Sequence, residues 1–278
     1  MNFSDVQFNT FYNKFTLQCR GKIVDLSTPL VMGIINCTPD SFHKNSRVAN
    51  LEAALSMAEK HIAEGAQILD IGACSTRPGA EIIPVQEEIN RLMPVVEAIR
   101  KQYPEILISI DSFQYEVIEK VLPLGIDIVN DVSGLADEKI LTLIAKKNIA
   151  YVLMHNQTDA KYNNVTSDVY RFFQNKLEIL KKNQVNNVVI DLGFGFAKSL
   201  ENNFELLKNI NLFNNLNTPI LIGVSRKSMI CRTLKCSPEE SLNGTTAIHA
   251  IALQKGGNIL RVHDVKEAMQ VVKLHQLL

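Results

Sequence analysis

The residues best suited to chemistry stand at or just beyond the ends of short apolar runs. They are Asn36, Asp70, Asp111, Asn130, His155, Asp191, the segment Ser225 to Ser228, and Arg261 with His263. Taken singly, an aspartate or asparagine at such a point more often caps a helix or forms a turn. A whole series of run ends with this behaviour favours a shared site, because the carboxyl ends of parallel strands meet on one face.

The charges of this series are segregated along the chain. Its cations come from the last two runs: Arg226, Lys227, Arg261 and His263. Arg261 interrupts an apolar run, where an unpaired guanidinium would be costly. In a barrel, closure would place Asn36 of the first strand beside these cations, in the region where barrels commonly bind phosphate. The pattern predicts an anion with more than one negative charge, bound apart from the acids.

The acidic side of the series consists of Asp111, Asn130 and Asp191. Carboxylates and an amide that face one concave site can bind a flat group rich in N–H donors. Two carboxylates can also act as general acid and base, and the spacing leaves both interpretations open. The oxygen atoms of Asn36 and Asp40 suit magnesium, which completes its shell with water and phosphate.

The elements that must position these residues alternate between two kinds. Apolar runs suited to buried strands are 30–35, 67–71, 106–110, 126–129, 150–154, 188–190, 219–224 and 259–262. Segments with helical periodicity are 51–64, 85–103, 115–122, 138–147, 169–182, 237–254 and 265–274. This order predicts an α/β fold, a single (β/α)₈ TIM barrel. A doubly wound sheet is the rival fold, but Cys37-Thr38-Pro39 is not its glycine-rich turn.

The remaining segments complete the predicted organisation. Two alternating stretches around Arg20-Gly21 indicate a short β-hairpin. We therefore predict an N-terminal hairpin extension over 1–29 and a barrel over 30–278. The polar stretch 156–167 and the asparagine-rich stretch 202–217 are expected to be loops.

Composition excludes several classes of function. The 278 residues carry 29 basic and 29 acidic side chains without a basic cluster, which argues against nucleic acid or an anionic membrane as partner. The five cysteines form no C-x-x-C pair, as expected for reduced thiols, and no apolar run is long enough to span a membrane. We expect a cytoplasmic enzyme that acts on small molecules.

Several motifs in order resemble the dihydropteroate synthase family of pterin-binding TIM barrels, from about residue 15 to the C-terminus. They are Met32-Gly33-Ile34-Ile35-Asn36, Thr38-Pro39-Asp40-Ser41-Phe42, Asp70-Ile71-Gly72, Ser75-Thr76-Arg77-Pro78-Gly79, Ile110-Asp111-Ser112, Asn130-Asp131-Val132-Ser133-Gly134, Met154-His155, Asp191 with Gly193-Phe194-Gly195-Phe196, Ser225-Arg226-Lys227-Ser228 and Arg261-Val262-His263-Asp264. The family joins a pterin diphosphate to p-aminobenzoate in folate biosynthesis and is the target of sulfonamides. The resemblance implies the same fold and reaction here.

The resemblance also implies a role for each matching residue. Pterin would be bound by Asp111, Asn130, Met154, Asp191 and Lys227, and the diphosphate by Asn36, Thr76, Arg261 and His263. The p-aminobenzoate pocket would comprise Phe42, Thr76, Arg77, Pro78, Phe196, Lys227 and Ser228. Mg²⁺ would be reached through Asn36, and Asp111, Lys227 and Arg261 would be the catalytic residues. A homodimer is implied as well.

The implied mechanism is dissociative, so diphosphate leaves before the arylamine attacks the pterin cation. With the acids and cations apart, replacing Arg261 with alanine is expected to abolish turnover and to spare the binding of free pterin. The sequence departs from the family in the first loop, where His43-Lys44-Asn45-Ser46 replaces an acidic, glycine-containing segment. The alternatives are a corrinoid-type pterin methyltransferase and a catalytically silent pterin-binding paralogue.

Overall fold

Eight parallel strands close into a barrel in the computed structural model, which describes residues 15–37, 47–74 and 82–278. Two short strands, β1 (Thr16–Cys19) and β2 (Lys22–Asp25), form an antiparallel hairpin before it. The barrel strands are β3 (Leu30–Asn36), β4 (Ile68–Gly72), β5 (Leu107–Asp111), β6 (Ile128–Asp131), β7 (Ala150–Met154), β8 (Val188–Asp191), β9 (Ile220–Ile222) and β10 (Ile259–Val262). They pair in chain order, and β10 closes on β3. The predicted TIM barrel with an N-terminal hairpin is confirmed, while the domain boundary at residue 29 stays a prediction.

Helices cover the barrel from outside. They are α1 (Arg47–Ala63), α2 (Val85–Gln102), α3 (Tyr115–Val121), α4 (Glu138–Lys147), α5 (Val165–Lys182), α6 (Leu200–Lys208), α7 (Ile210–Phe213), α8 (Ser228–Leu234), α9 (Leu242–Gln254) and α10 (Val265–His275). Within the described ranges, none of them is both long and apolar enough to cross a membrane.

The prediction of a loop over 202–217 was wrong, because α6 and α7 occupy most of it. Ser199 caps α6 by accepting a hydrogen bond from the backbone N–H of Asn202 at 3.1 Å. Leu206, Ile210 and Phe213 recur at helical spacing and are fully buried. The asparagines between these apolar residues led to the prediction of a loop, because asparagine is common in loops. The predicted loop over 156–167 likewise ends early, since α5 begins at Val165.

The period of two along each strand decides which side chains enter the barrel. Ile68 packs in the inner apolar cluster, so Asp70, two residues later, points inward as well. The same step leads from Ile128 to Asn130, from Val189 to Asp191 and from Ile259 to Arg261. Each of these strands thus passes from an apolar layer near its start to a polar layer near its carboxyl end.

The amino-terminal end of the barrel is sealed by the hairpin and an ion cluster. Leu17 and Cys19 are buried in the same apolar cluster as Ile68. Asp127 accepts hydrogen bonds from Nε of Arg20 at 2.7 Å and from Nη2 of Arg100 at 2.8 Å. Because Arg20 belongs to the hairpin turn, this cluster links the hairpin to the barrel. In barrels, such features at the amino-terminal face serve stability.

Candidate active site

The floor of the site at the opposite, carboxyl end is an arginine between two acids. Nε of Arg261 donates to Oδ2 of Asp70 at 2.6 Å, and its Nη2 donates to Oδ2 of Asp111 at 2.7 Å. Asp70 is fully buried and the side chain of Asp111 is 5% exposed. The expectation that cations and acids lie apart is therefore wrong at Arg261, which joins both groups of residues.

Asp70 is a site residue for which sequence analysis predicted no role beyond a strand end. Its Oδ2 atom also accepts a hydrogen bond from Nδ2 of Asn130 at 3.0 Å. One carboxylate oxygen thus orients both the guanidinium and the amide. The inward position of Asp70 could be read from the spacing Ile68, Asp70, Gly72, whereas its partner on β10 lies 191 residues away.

One carboxylate oxygen of Asp111 has no donor among the described residues. This atom, Oδ1, is buried. Burial raises the pKa of Asp111 to about 7; Arg261 opposes this shift, and the carboxylates of Asp70, Glu88 and Asp191 add to it. A buried acceptor without a donor is costly. The arrangement therefore favours a ligand that brings an N–H group to this oxygen.

Lys227 and Asp191 form the other side of the floor. Asp191 is buried, and its Oδ1 accepts a hydrogen bond from the backbone N–H of Gly193 at 2.8 Å. Nζ of Lys227 donates to the carbonyl oxygen of Phe194 and lies 4.9 Å from the centre of the Phe196 ring. Burial lowers the pKa of Lys227 to about 8, against the opposing charge of Asp191.

Asn130 and Met154, which are also predicted to bind pterin, lie level with the two acids in the barrel. Asn130 is paired with Asp111, and Met154 is paired with Asp191. Both are buried. The barrel thus brings Asp111, Asn130, Met154, Asp191 and Lys227 together at one end, as the sequence predicts.

The hydroxyl of Ser225 orients His263, the last cation of the series. The backbone N–H of His263 donates to Oγ of Ser225 at 3.2 Å, and this Oγ lies 3.1 Å from Nδ1 of the same histidine. We predict that this Oγ, which already accepts the backbone N–H, donates its hydroxyl hydrogen to Nδ1. In the neutral form of the ring, the hydrogen would then lie on Nε2.

This geometry predicts the tautomer of His263. In ¹⁵N NMR at a pH at which the His263 ring is neutral, its Nδ1 should show the chemical shift of an unprotonated nitrogen. Ser225→Ala should increase the population of the tautomer that carries the hydrogen on Nδ1. Ser241→Ala, which removes a buried hydroxyl bonded to the Pro238 carbonyl at 2.7 Å, is the matched control and should change nothing. A protonated Nδ1 in the unmodified protein would contradict the assignment.

The other predicted residues have mixed outcomes. Asn36 is exposed at the carboxyl end of β3, and Ser228 is exposed at the first turn of α8. Arg226 is bound to Asp264 through Nε at 2.9 Å, so this cation is already paired. Phe42, Thr76, Arg77 and Pro78 lie outside the described residues, as does Asp40.

The described residues hold no group of three or more histidine, cysteine, aspartate or glutamate side chains able to bind a metal ion. Magnesium does not require one, because it often takes one or two protein oxygens and completes its shell with water and phosphate. The exposed amide of Asn36 at the rim of the barrel fits that mode of binding.

The sequence is similar to those of known pterin-binding enzymes. Residues 32–263 match the family described as "Pterin binding enzyme". Dihydropteroate synthase of Haemophilus influenzae is 39% identical over 269 residues, which cover 94% of this chain and 98% of the relative. The enzyme of Streptococcus pyogenes serotype M6 is 42% identical over 257 residues, covering 91% and 96%.

Solved structures agree with the sequence comparison. Xanthomonas albilineans dihydropteroate synthase with 4-aminobenzoic acid matches with a TM-score of 0.90 and 37% identity, covering 95% of this chain and 98% of that one. The Xanthomonas enzyme in complex with 7,8-dihydropteroate matches with a TM-score of 0.87 and 35% identity, at the same coverage. This chain therefore belongs to the dihydropteroate synthase family of pterin-binding enzymes.

Proposed function

We propose that the protein condenses 6-hydroxymethyl-7,8-dihydropterin diphosphate with p-aminobenzoate, giving 7,8-dihydropteroate and diphosphate. The observation that carries this proposal is the floor of the site, where Asp70, Asn130, Asp111 and Arg261 are joined by hydrogen bonds while the Oδ1 atoms of Asp111 and Asp70 are buried without a donor among the described residues. A pterin has several in-plane N–H groups, and these suit a set of rigid acceptors at the bottom of a barrel.

The cationic rim supports the binding of the diphosphate. Only Nε and Nη2 of Arg261 bond to described residues, and 19% of the side chain stays exposed, so Nη1 is left for a phosphate oxygen. His263, whose ring nitrogen Nδ1 lies 3.1 Å from Oγ of Ser225, is predicted to be a second ligand of the diphosphate. Asn36, on β3 next to β10, would contribute its amide. These donors stabilise the negative charge that the leaving diphosphate acquires.

This distribution of charge suits the dissociative mechanism that the family resemblance implies. The C–O bond to diphosphate breaks first, its electron pair leaves with the diphosphate, and the pterin methylene becomes cationic. The carboxylates of Asp111 and Asp191 favour this positive charge. The amine of p-aminobenzoate then forms the C–N bond and releases a proton. No nucleophile from the protein is required.

We further propose a binding site for p-aminobenzoate, a bound Mg²⁺ ion and a homodimer. Lys227 above the Phe196 ring, together with Ser228, would hold p-aminobenzoate, and Phe42, Thr76, Arg77 and Pro78 are predicted to complete that site. Mg²⁺ at Asn36 would supply charge neutralisation to the diphosphate. A homodimer in the cytoplasm is the expected form of the enzyme.

The test is direct. Purified protein with the pterin diphosphate, p-aminobenzoate and Mg²⁺ should release diphosphate and dihydropteroate in equal amounts. Tight pterin binding without either product would instead show the silent paralogue.

The pKa shifts predict how activity depends on pH. Since burial raises the pKa of Asp111 to about 7, its accepting form is gained as pH rises through that value. Since burial lowers the pKa of Lys227 to about 8, its charge is lost above that value. The plot of kcat/KM for the pterin substrate against pH should therefore be bell-shaped with limbs near 7 and 8.

A single substitution tests whether the low-pH limb of this profile reports the titration of Asp111. Glu88→Gln removes a buried negative charge that raises the pKa of Asp111, so the lower limb should move to lower pH. Glu87→Gln is the matched control, because Glu87 is 48% exposed on the same helix and is paired with Arg91. If Glu88→Gln leaves the limb in place, Asp111 is not the group that titrates there.

A further inference from the structure

We propose that Lys198 is a positioning residue: its ammonium group holds the loop after β8 in the conformation that places Phe194 and Phe196 against Lys227. This inference rests on the proposed function, because Lys227 and Phe196 are assigned there to the substrates. Sequence analysis predicted no role for Lys198.

The Lys198 ammonium lies among acceptors from two loops. Its Nζ donates to the carbonyl oxygens of Gly193 at 2.9 Å and Phe196 at 3.1 Å, within its own loop. From the loop after β7 it reaches Nδ1 of His155 at 3.0 Å and the His155 carbonyl oxygen at 3.4 Å. Burial lowers the pKa of His155 to about 3, so the ring is neutral and its Nδ1 can accept.

This loop adopts a backbone that needs such support. The φ angles of Gly193, Gly195 and Ala197 are +67°, +81° and +42°, and the last is unfavourable for a residue with a side chain. A Cβ atom at Gly193 would lie 2.0 Å from the carbonyl oxygen of His155, so the two loops are in close contact there. The Lys198 ammonium contacts three carbonyl oxygens at this point, those of Gly193, Phe196 and His155, so its positive charge offsets their partial negative charges.

The held loop forms one wall around Lys227. The Phe194 carbonyl accepts from Nζ of Lys227, and the Phe196 ring lies beneath the same atom. A Cβ atom at Gly195 would lie 3.1 Å from Cδ of Lys227, so the backbone also confines the stem of that side chain. Lys198 thus acts on the substrates through Lys227 and Phe196, without touching them.

The first test is structural and needs no activity. In protein labelled with 4-fluorophenylalanine, the resonance assigned through Phe196→Leu should shift or broaden in Lys198→Ala. Adding n-propylammonium, which replaces the atoms removed from Lys198, should restore it, whereas n-propanol should not. Lys198→Arg, which keeps a cation at the position, should show a smaller change.

The second test separates the two substrates. In Lys198→Ala the KM for p-aminobenzoate should rise about tenfold or more, because both Phe196 and Lys227 are assigned to that substrate. The KM for the pterin diphosphate, to which only Lys227 is assigned, should rise clearly less, a split that general loosening of the fold would not produce. Assays at pH 6.5 keep most of the Lys198 side chains charged, since burial lowers the pKa of this residue to about 7. n-Propylammonium should restore the KM for p-aminobenzoate.

The matched control is Lys176→Ala. Nζ of Lys176 also donates to a loop carbonyl, that of Leu135 at 2.9 Å, but no bond connects it to Lys227. Equal changes in both KM values, or an unchanged Phe196 resonance in folded Lys198→Ala, would overturn the inference. If the unmodified protein proves inactive, the proposed function fails, and the fluorine spectrum still decides the role of Lys198.

Discussion

Replacing Arg261 with alanine should abolish measurable turnover and also weaken pterin binding. The substitution leaves the buried carboxylates of Asp70 and Asp111 facing each other without a cation. Because Arg261 opposes the rise in the pKa of Asp111, its removal raises that pKa further and protonates the acceptor at neutral pH. Breaking such a pair costs about 3–5 kcal/mol. We expect kcat/KM to fall by about 10³-fold or more.

Two variants show whether the effect belongs to the site. Arg100→Ala breaks the comparable pair with Asp127 at the opposite end of the barrel, so it should lower the free energy of unfolding and leave kcat/KM of the folded protein unchanged. Arg261→Lys should recover only part of the activity, because an ammonium cannot reproduce the two directed bonds of a guanidinium. Pterin affinity that survives Arg261→Ala intact would restore the original expectation of separate acid and cation sites.

Replacing Asp111 with asparagine should remove most of the pterin affinity. The variant keeps the size of the side chain but has an amide in place of the carboxylate. The atom at the position of Oδ1 is then either a neutral amide oxygen, which is a weaker acceptor, or an NH₂ group, which donates instead of accepting. The bond from Arg261 also loses its charged partner. The loss of one charge-assisted bond to the pterin predicts a decrease of about 10²- to 10³-fold in kcat/KM.

Asp131→Asn is the matched control for this substitution. Asp131 ends β6 beside Asn130 but points away from the barrel interior, where its Oδ2 accepts a hydrogen bond from the Tyr151 hydroxyl at 2.6 Å. The variant should reduce stability and leave pterin affinity, measured by isothermal titration calorimetry, within about twofold of the original. Equal losses of affinity in both variants would show that Asp111 acts only through the fold.

Most of the fold could be predicted from the sequence, because the alternation of inward and outward side chains along a strand is a local property. Asp70, Asp111 and Asp191 each fall two residues after another inward position, so their place inside the barrel follows from spacing alone. The error over 202–217 has the opposite origin. Asparagine lowers helix propensity, and tertiary burial of Leu206, Ile210 and Phe213 overrides it.

The pairing inside the site could not be predicted in the same way. Whether Arg261 binds an incoming anion or the acids of β4 and β5 depends on contacts across 191 and 150 residues. The sequence identifies a buried arginine but not its partner. The role of Lys198 could not be predicted for a related reason. Its acceptors include backbone carbonyl groups, which every residue has and which residue types therefore do not reveal.

The most direct test of the account is a crystal structure of the complex with the pterin diphosphate. We expect the Oδ1 atom of Asp111 to accept an N–H bond from the pterin while Oδ2 keeps its bond to Arg261, with the diphosphate at Arg261 and His263. A pterin bound elsewhere in the barrel, or Asp111 turned away from it with both oxygens on Arg261, would contradict the account.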